Sequence, residues 1–400
     1  MESAGDTVRR PLTRWVVGLV VTAIYLPPVL SVGLRTDTGG HLLFAESMAQ
    51  TGREFGPYNL FEQLVIVVRA FIPFGALERI DPVLGDRATI WDISGVLVVM
   101  ASVLITADLV HARLSDGKAI GLRRRPWAVV ASSVVAMVVA PITVLTWSGR
   151  HLLTGYVNIT SYENPTANLV RPFALALLSL FASRVHTRNR RQVVALAALL
   201  SVLALMAKPS FTICFLPAVV ILWALFERRG EAVDRRFLAL GFVLPSVAVL
   251  LFQLAMAQGE GGVGLDPLAT VRELLASRGH SLWMFPVFVL LSALFPIIVL
   301  VVQRREVVRS LPLVTAWLTF AVGIASFSLM RITGRTDYGD LVWGPQVALL
   351  LLMVESIRLW AGRRGISPTG FWIAAVALAL HVVSGGVLWW AEVYRPAAWW

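Results

Sequence analysis

An aspartate and a histidine lie four residues apart in the segment RTDTGGHLLFAESM, which begins at Arg35. If a helix starts near Asp37, His41 follows one turn later on the same face, whereas Glu46 falls on the opposite face. A carboxylate and an imidazole on one helix face can exchange protons near neutral pH. The spacing therefore predicts a candidate proton-transfer pair. The alternative is that Asp37 only caps the helix and His41 is an interface residue.

Two cations stand out as candidate anion-binding groups. Lys208 is one of only two lysines in the chain, and it lies between two apolar stretches and directly before Pro209. Its alternative role is that of an anchor whose ammonium group reaches the membrane interface. Arg171 comes shortly after the polar segment that starts at Tyr162.

Polar residues in two further segments are candidates for substrate binding. Glu163 and Asn164 precede a proline, so an extended backbone is predicted there, with side chains that either line a cleft or cap the next helix. The segment RITGRTDYGD contains Arg331, Arg335 and Asp337. The charges of this segment can bind a substrate or pair with one another.

The composition of the chain excludes a soluble domain. Of its 400 residues, 57% are hydrophobic and 15% are charged, against roughly 45–50% and about 25% in soluble proteins. The apolar residues form blocks of about 20, the length needed to cross a bilayer. The single cysteine, Cys214, excludes a disulfide within the chain and a cysteine zinc site. The sequence therefore predicts a polytopic membrane protein.

Hydropathy predicts an all-α bundle of about eleven spans that forms one transmembrane domain over residues 1–400. The predicted spans are 15–34, 91–110, 127–146, 167–183, 193–207, 211–226, 237–257, 283–302, 313–330, 341–358 and 371–391. The pair 193–207 and 211–226 is interpreted as two helices because Pro209 would break a continuous one.

The basic residues that produce the net charge of +11 are concentrated in alternate connections between the predicted spans. One alternating set of connections contains 22 of the 35 basic residues but only nine of the 24 acidic ones. The positive-inside rule places this set in the cytoplasm, together with the N-terminus, and places the C-terminus outside. The basic residues therefore set the orientation, and nucleic acid is not expected as a partner.

The longest connection between predicted spans, residues 35–90, is assigned to the outer face. It contains a helical pattern at 38–51 and an apolar helical pattern at 59–74, where Glu62 and Arg69 share a face. Because the second segment is short and carries charges, it is predicted to lie in the membrane interface. The outer connections are elaborated and the cytoplasmic ones are short, so function is expected at the outer face. His381, in the middle of a span, is a further candidate functional residue. Close helix packing and a hydrogen bond would equally explain a histidine at this position.

This layout resembles the GT-C superfamily of polytopic membrane glycosyltransferases, in an uncharacterised bacterial branch. The resemblance covers most of the chain, to about residue 345. It lies in an acidic residue that opens an interfacial helix just past the first span, and in two sequence segments. These segments are Tyr162-Glu163-Asn164-Pro165-Thr166 with Arg171-Pro172-Phe173, and Lys208-Pro209-Ser210-Phe211 with Leu216-Pro217.

The resemblance implies an enzyme that moves a sugar from a polyprenyl-phosphate donor to an envelope glycan, lipid or protein. It places the active face on the extracytoplasmic side of a bacterial plasma membrane. It implies that Asp37, assisted by His41, is the base for the acceptor hydroxyl. Cations would hold the departing phosphate, and the candidates are Arg171, Lys208, Arg331 and Arg335. No cofactor is expected. A divalent cation is compatible with this chemistry but is not required by it.

Two other classes of protein remain as alternatives. A polytopic transporter or lipid flippase usually has repeated halves with interrupted helices and ionisable residues in the membrane. The predicted spans are nearly free of charge, and no internal repeat is found. A scaffold without activity is the third interpretation, and the elaborated outer connections argue against it.

Overall fold

A computed structural model of the chain describes residues 4–52, 59–72, 89–116, 126–146, 153, 155–160, 162–256, 263–332, 341–363 and 365–394. Within these ranges the protein is a bundle of α-helices with a single two-stranded sheet. The predicted all-α class is confirmed at this level.

The helices are numbered here in chain order. They are α1 Ala4–Ser31, α2 Asp37–Thr51, α3 Leu60–Phe71, α4 Ile90–Ser115, α5 Pro126–Val138, α6 Pro165–Arg184, α7 Arg191–Ala207, α8 Pro209–Arg228, α9 Arg235–Leu238, α10 Leu244–Met256, α11 Ala269–Ala276, α12 Met284–Ser292, α13 Leu294–Val302, α14 Arg304–Arg309, α15 Leu311–Leu329, α16 Trp343–Ala361 and α17 Pro368–Tyr394. A 3-10 turn, Gly33–Arg35, precedes α2, and a π-helical turn, Ala239–Val243, joins α9 to α10. Strands β1 (Val263–Leu265) and β2 (Met330–Ile332) pair antiparallel.

The described part of the chain contains eight helices that are long and apolar enough to cross a membrane, or nine if the bent pair α12 and α13 forms one span. Two shorter apolar helices, α5 and α7, occupy two other predicted spans. Helices α7 and α8 are separate and meet at Lys208. The protein is therefore a multi-pass membrane protein, while eleven crossings and their orientation stay predictions.

Helix α16 lies at the centre of the bundle. It packs against α15, α8, α6, α13, α4 and α5, and Leu349, Leu351, Leu352, Met353 and Val354 are fully buried. Because α16 is apolar on all sides from Val347 to Val354, neighbouring helices can surround this part of it completely. The central helix therefore fixes the positions of the helices around it.

Two of the predicted spans, 127–146 and 283–302, are wrong as continuous helices. Helix α5 ends at Val138, and residues 139–146 are not helical. Pro141 lacks an amide hydrogen and disfavours the helical conformation at Ala140. Helices α12 and α13 meet at Ala293 with a bend of 71°. The ring of Pro296 would clash with the carbonyl of Ser292 in a straight helix. Hydropathy measures composition, so it does not detect these breaks.

The side chains of α17 bond the backbone at both breaks. His381 Nδ1 donates to Ala140 O over 2.7 Å, and its Nε2 accepts from Phe295 N over 3.4 Å. Because a carbonyl can only accept, the His381 proton is assigned to Nδ1. Ser384 Oγ donates to Pro141 O over 2.5 Å. Backbone groups freed inside a membrane must be paired within the protein, so His381 and Ser384 stabilise the two interruptions.

The ion pairs of the described residues agree with the predicted alternation of the connections. Each pair joins residues assigned to the same side, for example Arg14–Asp108 at 3.3 Å, Arg113–Glu355 at 2.5 Å and Arg331–Glu273 at 2.9 Å. Pairs of this kind form where the ends of helices meet. These described pairs are compatible with the predicted sidedness, which stays a prediction.

Glu355 is the centre of a buried ion-pair network. Its side chain is 1% exposed and contacts Arg113 at 2.5 Å and Arg358 at 2.8 Å. Glu355→Ala would leave both guanidinium groups without this carboxylate, and we expect a loss of about 3–5 kcal/mol in stability. Glu306→Ala is the matched control, because it removes only the pair with the largely exposed Arg309, worth about 0–1 kcal/mol. Thermal unfolding in detergent compares the two variants, and equal melting temperatures would contradict the expected role of Glu355.

Candidate functional site

The compact turn between α1 and α2 depends on two glycines, Gly33 in the turn and Gly39 in the first turn of α2. A Cβ at Gly39 would lie 2.4 Å from the carbonyl oxygen of Leu34, and a Cβ at Gly33 would lie 3.2 Å from that of Tyr162. These approaches leave no room for a side chain at Gly39. The turn therefore fixes where α2 begins and holds Asp37, its first residue, close to the segment that precedes α6.

Asp37 receives a hydrogen bond from Asn164. The Nδ2 group of Asn164 donates to Asp37 Oδ2, while Asn164 Oδ1 accepts from the Ala167 amide at 2.7 Å and from Thr166 Oγ1 at 2.9 Å. Asn164 is thus the N-cap of α6. Because the cap uses its oxygen, its amide nitrogen must point to Asp37. The N-cap of α6 and the first residue of α2 are held together in this way.

His41 lies between two carboxylates. Its Nε2 is 3.9 Å from Asp37 Oδ1, and its Nδ1 is hydrogen-bonded to Glu62 Oε1. Glu62 belongs to the first turn of α3 and is 3% exposed. Glu62 was not among the candidate site residues predicted from the sequence, where it was noted only as an acid that shares a helix face with Arg69. Because α2 and α3 pack together, their side chains meet here.

Glu163 completes this group, which we call the Asp37 site: Asp37, His41, Glu62, Glu163 and Asn164. The carbonyl of Glu163 accepts from Thr38 Oγ1 at 2.7 Å. Burial raises the pKa of the Glu163 carboxyl well above its ordinary value, and repulsion from Glu392 and Asp37 adds to this effect. Asp37 remains accessible, with 45% of its side chain exposed. The site therefore presents one reachable carboxylate backed by an imidazole and two less exposed acids.

Arg171 supports the Asp37 site from inside the bundle. It is buried in α6, donates through NH1 to Asn168 Oδ1 at 2.5 Å, and donates through NH2 to Ile159 O. Asn168 in turn donates to the carbonyl of Asn164 at 3.1 Å. These bonds tie the segment before α6 to the helix. They are the contacts of a residue that holds this segment in place.

The other predicted cations lie on different elements. Lys208 is buried between α7 and α8, with its Nζ 5.2 Å from the ring centroid of Trp343. Arg331 on β2 pairs with Asp266 at 3.4 Å and Glu273 at 2.9 Å. The structure thus brings Asp37, His41, Glu163 and Asn164 together. The described partners of Arg331 are instead the carboxylates that follow β1 and lie in α11. Arg335 and Asp337 lie outside the described residues.

Asp92 lies in the first turn of α4. It forms a capping box with Thr89: Asp92 Oδ2 accepts from the Thr89 amide at 2.6 Å, and Thr89 Oγ1 accepts from the Asp92 amide at 3.2 Å. Such a box pairs two amides at the start of a helix that would otherwise lack partners. Asp92 therefore caps α4.

The fold is that of a multi-pass helical membrane protein, and the Asp37 site lies where α2 meets α3 and the segment before α6. In the ranges that the structure covers, no three His, Cys, Asp or Glu side chains are grouped so as to hold a metal ion. Comparison of the chain with protein-family models, with curated proteins and with solved structures gave no match.

Gly39→Ala is expected to displace Asp37 and to destabilise the protein, whereas Gly40→Ala should leave the position of Asp37 unchanged. A methyl group at Gly39 would meet the Leu34 carbonyl, but one at Gly40 would have nothing within 4 Å. Overpacking of this kind costs about 1–3 kcal/mol, and Gly40→Ala should raise stability slightly because alanine favours helices. Thermal unfolding in detergent measures both effects. A Gly39→Ala protein as stable as Gly40→Ala would show that the turn has room for the methyl group.

Proposed function

We propose that this protein is a membrane glycosyltransferase that moves a sugar from a polyprenyl-phosphate donor to a cell-envelope acceptor. The observation that supports this most is the Asp37 carboxylate, which lies at the start of α2, is half exposed, receives a hydrogen bond from Asn164 and is 3.9 Å from His41. A carboxylate that is exposed to this extent can be reached by an incoming hydroxyl and can act as the general base that takes its proton.

The reaction needs two kinds of group. The acceptor oxygen attacks the anomeric carbon of the sugar as its proton moves to Asp37, and the bond from that carbon to the phosphate oxygen breaks. The electron pair leaves with the polyprenyl phosphate, whose growing charge requires cations. Lys208 and Arg335 are our candidates for this second role. Arg171 is assigned instead to hold the segment that carries Glu163 and Asn164, because its described hydrogen bonds go to protein oxygens.

The proposal includes the orientation of the protein. The N-terminus and the Arg-rich connections are placed in the cytoplasm of a bacterial cell, and α2, α3 and the segment before α6 face the extracytoplasmic side. Helix α3 exposes Val67 and Phe71, which suits a helix lying in the membrane interface. A donor with a lipid tail can reach Asp37 from the bilayer in this arrangement.

The function is tested with purified protein in lipid nanodiscs. Polyprenyl phosphates carrying different labelled sugars are supplied with crude envelope acceptors, and release of free polyprenyl phosphate is measured. Nucleotide sugars are the matched control donors. We expect turnover with at least one polyprenyl-linked sugar and none with nucleotide sugars. If no polyprenyl-linked sugar is consumed, or if nucleotide sugars are consumed instead, the proposed donor class is wrong.

A second function, that of a transporter or lipid flippase, is favoured by one observation. Helix α5 and the α12–α13 pair are interrupted, and both interruptions contact His381 in the middle of α17. Interrupted helices near mid-membrane often mark substrate sites in transporters. Proteoliposomes that move a fluorescent prenyl phosphate across the bilayer without changing it chemically would support this second function. Sugar transfer without such movement would exclude it.

A further inference from the structure

Glu62 is buried and has one described hydrogen-bond partner. Its Oε1 is bonded to His41 Nδ1, while Oε2 is buried and has no hydrogen-bond partner among the residues that the structure describes. A buried carboxylate is costly unless a cation or a hydrogen-bond donor compensates it. At Glu62 that compensating group is the imidazole of His41.

Two aromatic rings pack against the ring of His41. Phe61 and Phe44 form T-shaped pairs with it, at centroid distances of 5.8 and 6.4 Å. With Nδ1 turned to Glu62, the other nitrogen, Nε2, faces Asp37 at 3.9 Å. Since a carboxylate only accepts, Glu62 places the proton of a neutral His41 on Nδ1 and leaves the lone pair on Nε2.

We propose that Glu62 is a positioning residue that makes His41 the acceptor of the proton that Asp37 removes from the acceptor hydroxyl. This inference rests on the proposed function. Asp37 is the catalytic residue that touches the hydroxyl. Its proton then passes to His41 Nε2, directly after a rotation of the half-exposed Asp37 side chain or through one bridging water. The resulting imidazolium is stabilised by Glu62, returns its proton to solvent, and leaves Asp37 ionised for the next turnover.

The charges around His41 favour this transfer. The elements packed against α2 include the 3-10 turn Gly33–Arg35, which brings the exposed Arg35, and the helices α3, α4 and α6. They bring Glu62, Arg69 of α3, Asp92 of α4, and Glu163 from the segment before α6. Arg69 lies over the Trp91 ring at 4.6 Å, and Asp92 is engaged in its own cap with Thr89. The two charged groups with described contacts to the His41 ring are therefore the carboxylates of Asp37 and Glu62.

Two measurements on Glu62→Ala test the proposal. Nitrogen-15 NMR of the protein in nanodiscs reports which ring nitrogen of His41 is protonated, with the signal assigned by its loss in His41→Gln. We expect a single tautomer with the proton on Nδ1 in the wild type, and a mixture in Glu62→Ala at a pH where the ring is neutral. In the transfer assay, kcat of Glu62→Ala should fall about 10- to 100-fold with little change in KM.

Two variants serve as controls. Glu62→Asp keeps the carboxylate and should restore part of kcat, whereas a residue that only fills space would not be rescued in this way. Gln63→Ala changes an exposed neighbour on α3 and should leave the tautomer and kcat unchanged. Thermal unfolding of every variant separates loss of structure from loss of positioning.

The outcomes separate this inference from the proposed function. If Asp37→Asn abolishes transfer while Glu62→Ala transfers sugar normally, the role of Glu62 is wrong and the function stands. The role of Glu62 is also wrong if the His41 tautomer is the same in Glu62→Ala as in the wild type. If the wild type transfers no sugar from any polyprenyl donor, the proposed function fails, and the proton path fails with it.

Discussion

Asp37→Asn is expected to lower sugar transfer by about 10²- to 10⁴-fold, the range that a general base contributes. Asparagine has nearly the same shape as aspartate but cannot accept the proton of a hydroxyl. Its amide oxygen can still accept the hydrogen bond of Asn164 Nδ2. The turn between α1 and α2 should therefore persist, so that the variant removes chemistry and keeps the fold.

Glu46→Gln is the matched control for Asp37→Asn. Glu46 lies on the same helix, and its described partner is Gln50, at 3.3 Å. The same change from carboxylate to amide there should alter transfer less than twofold. The measurement is release of polyprenyl phosphate in nanodiscs, with melting temperatures compared for both variants. An Asp37→Asn variant that transfers sugar at the wild-type rate would show that Asp37 is not the base.

Gly385→Ala is expected to destabilise the bundle by about 3 kcal/mol or more, at the upper end of the cost of overpacking. A Cβ at Gly385 would lie 1.9 Å from the carbonyl oxygen of Val138. That carbonyl belongs to the last residue of α5, beside the hydrogen bonds that His381 and Ser384 make to Ala140 and Pro141. Relief of the clash must move α17 away from α5 and stretch these bonds.

The neighbouring glycine gives the control for Gly385→Ala. A Cβ at Gly386 has nothing within 4 Å, so Gly386→Ala should be neutral or slightly stabilising. Yield of folded protein and thermal unfolding in detergent measure the difference. Should both variants melt at the wild-type temperature, the close approach of α17 to α5 would not be a feature of the protein.

Much of the fold could be predicted from local patterns. The apolar blocks indicated an all-α membrane bundle because only helices of that length satisfy their own backbone in a bilayer. The same pattern could not show the breaks at Ala140 and Ala293, although Pro141 and Pro296 were visible in the sequence. A proline in an apolar block is compatible with a kink, a break or a continuous bent helix. Which of these occurs depends on partners such as His381, far away in the chain.

The candidate site also combines features that the sequence predicted with features that only the tertiary structure decides. Asp37 and His41 were predictable as a pair because four residues along a helix place them on one face, and Asn164 was visible as a polar residue before a proline. Only the tertiary structure could decide that Asn164 donates to Asp37, that His41 meets Glu62, and that Arg171 is engaged by protein oxygens. Hydropathy and helical period are properties of neighbours along the chain. The contacts that make this site join α2 with α3 and α6, whose meeting depends on how the whole bundle packs around α16.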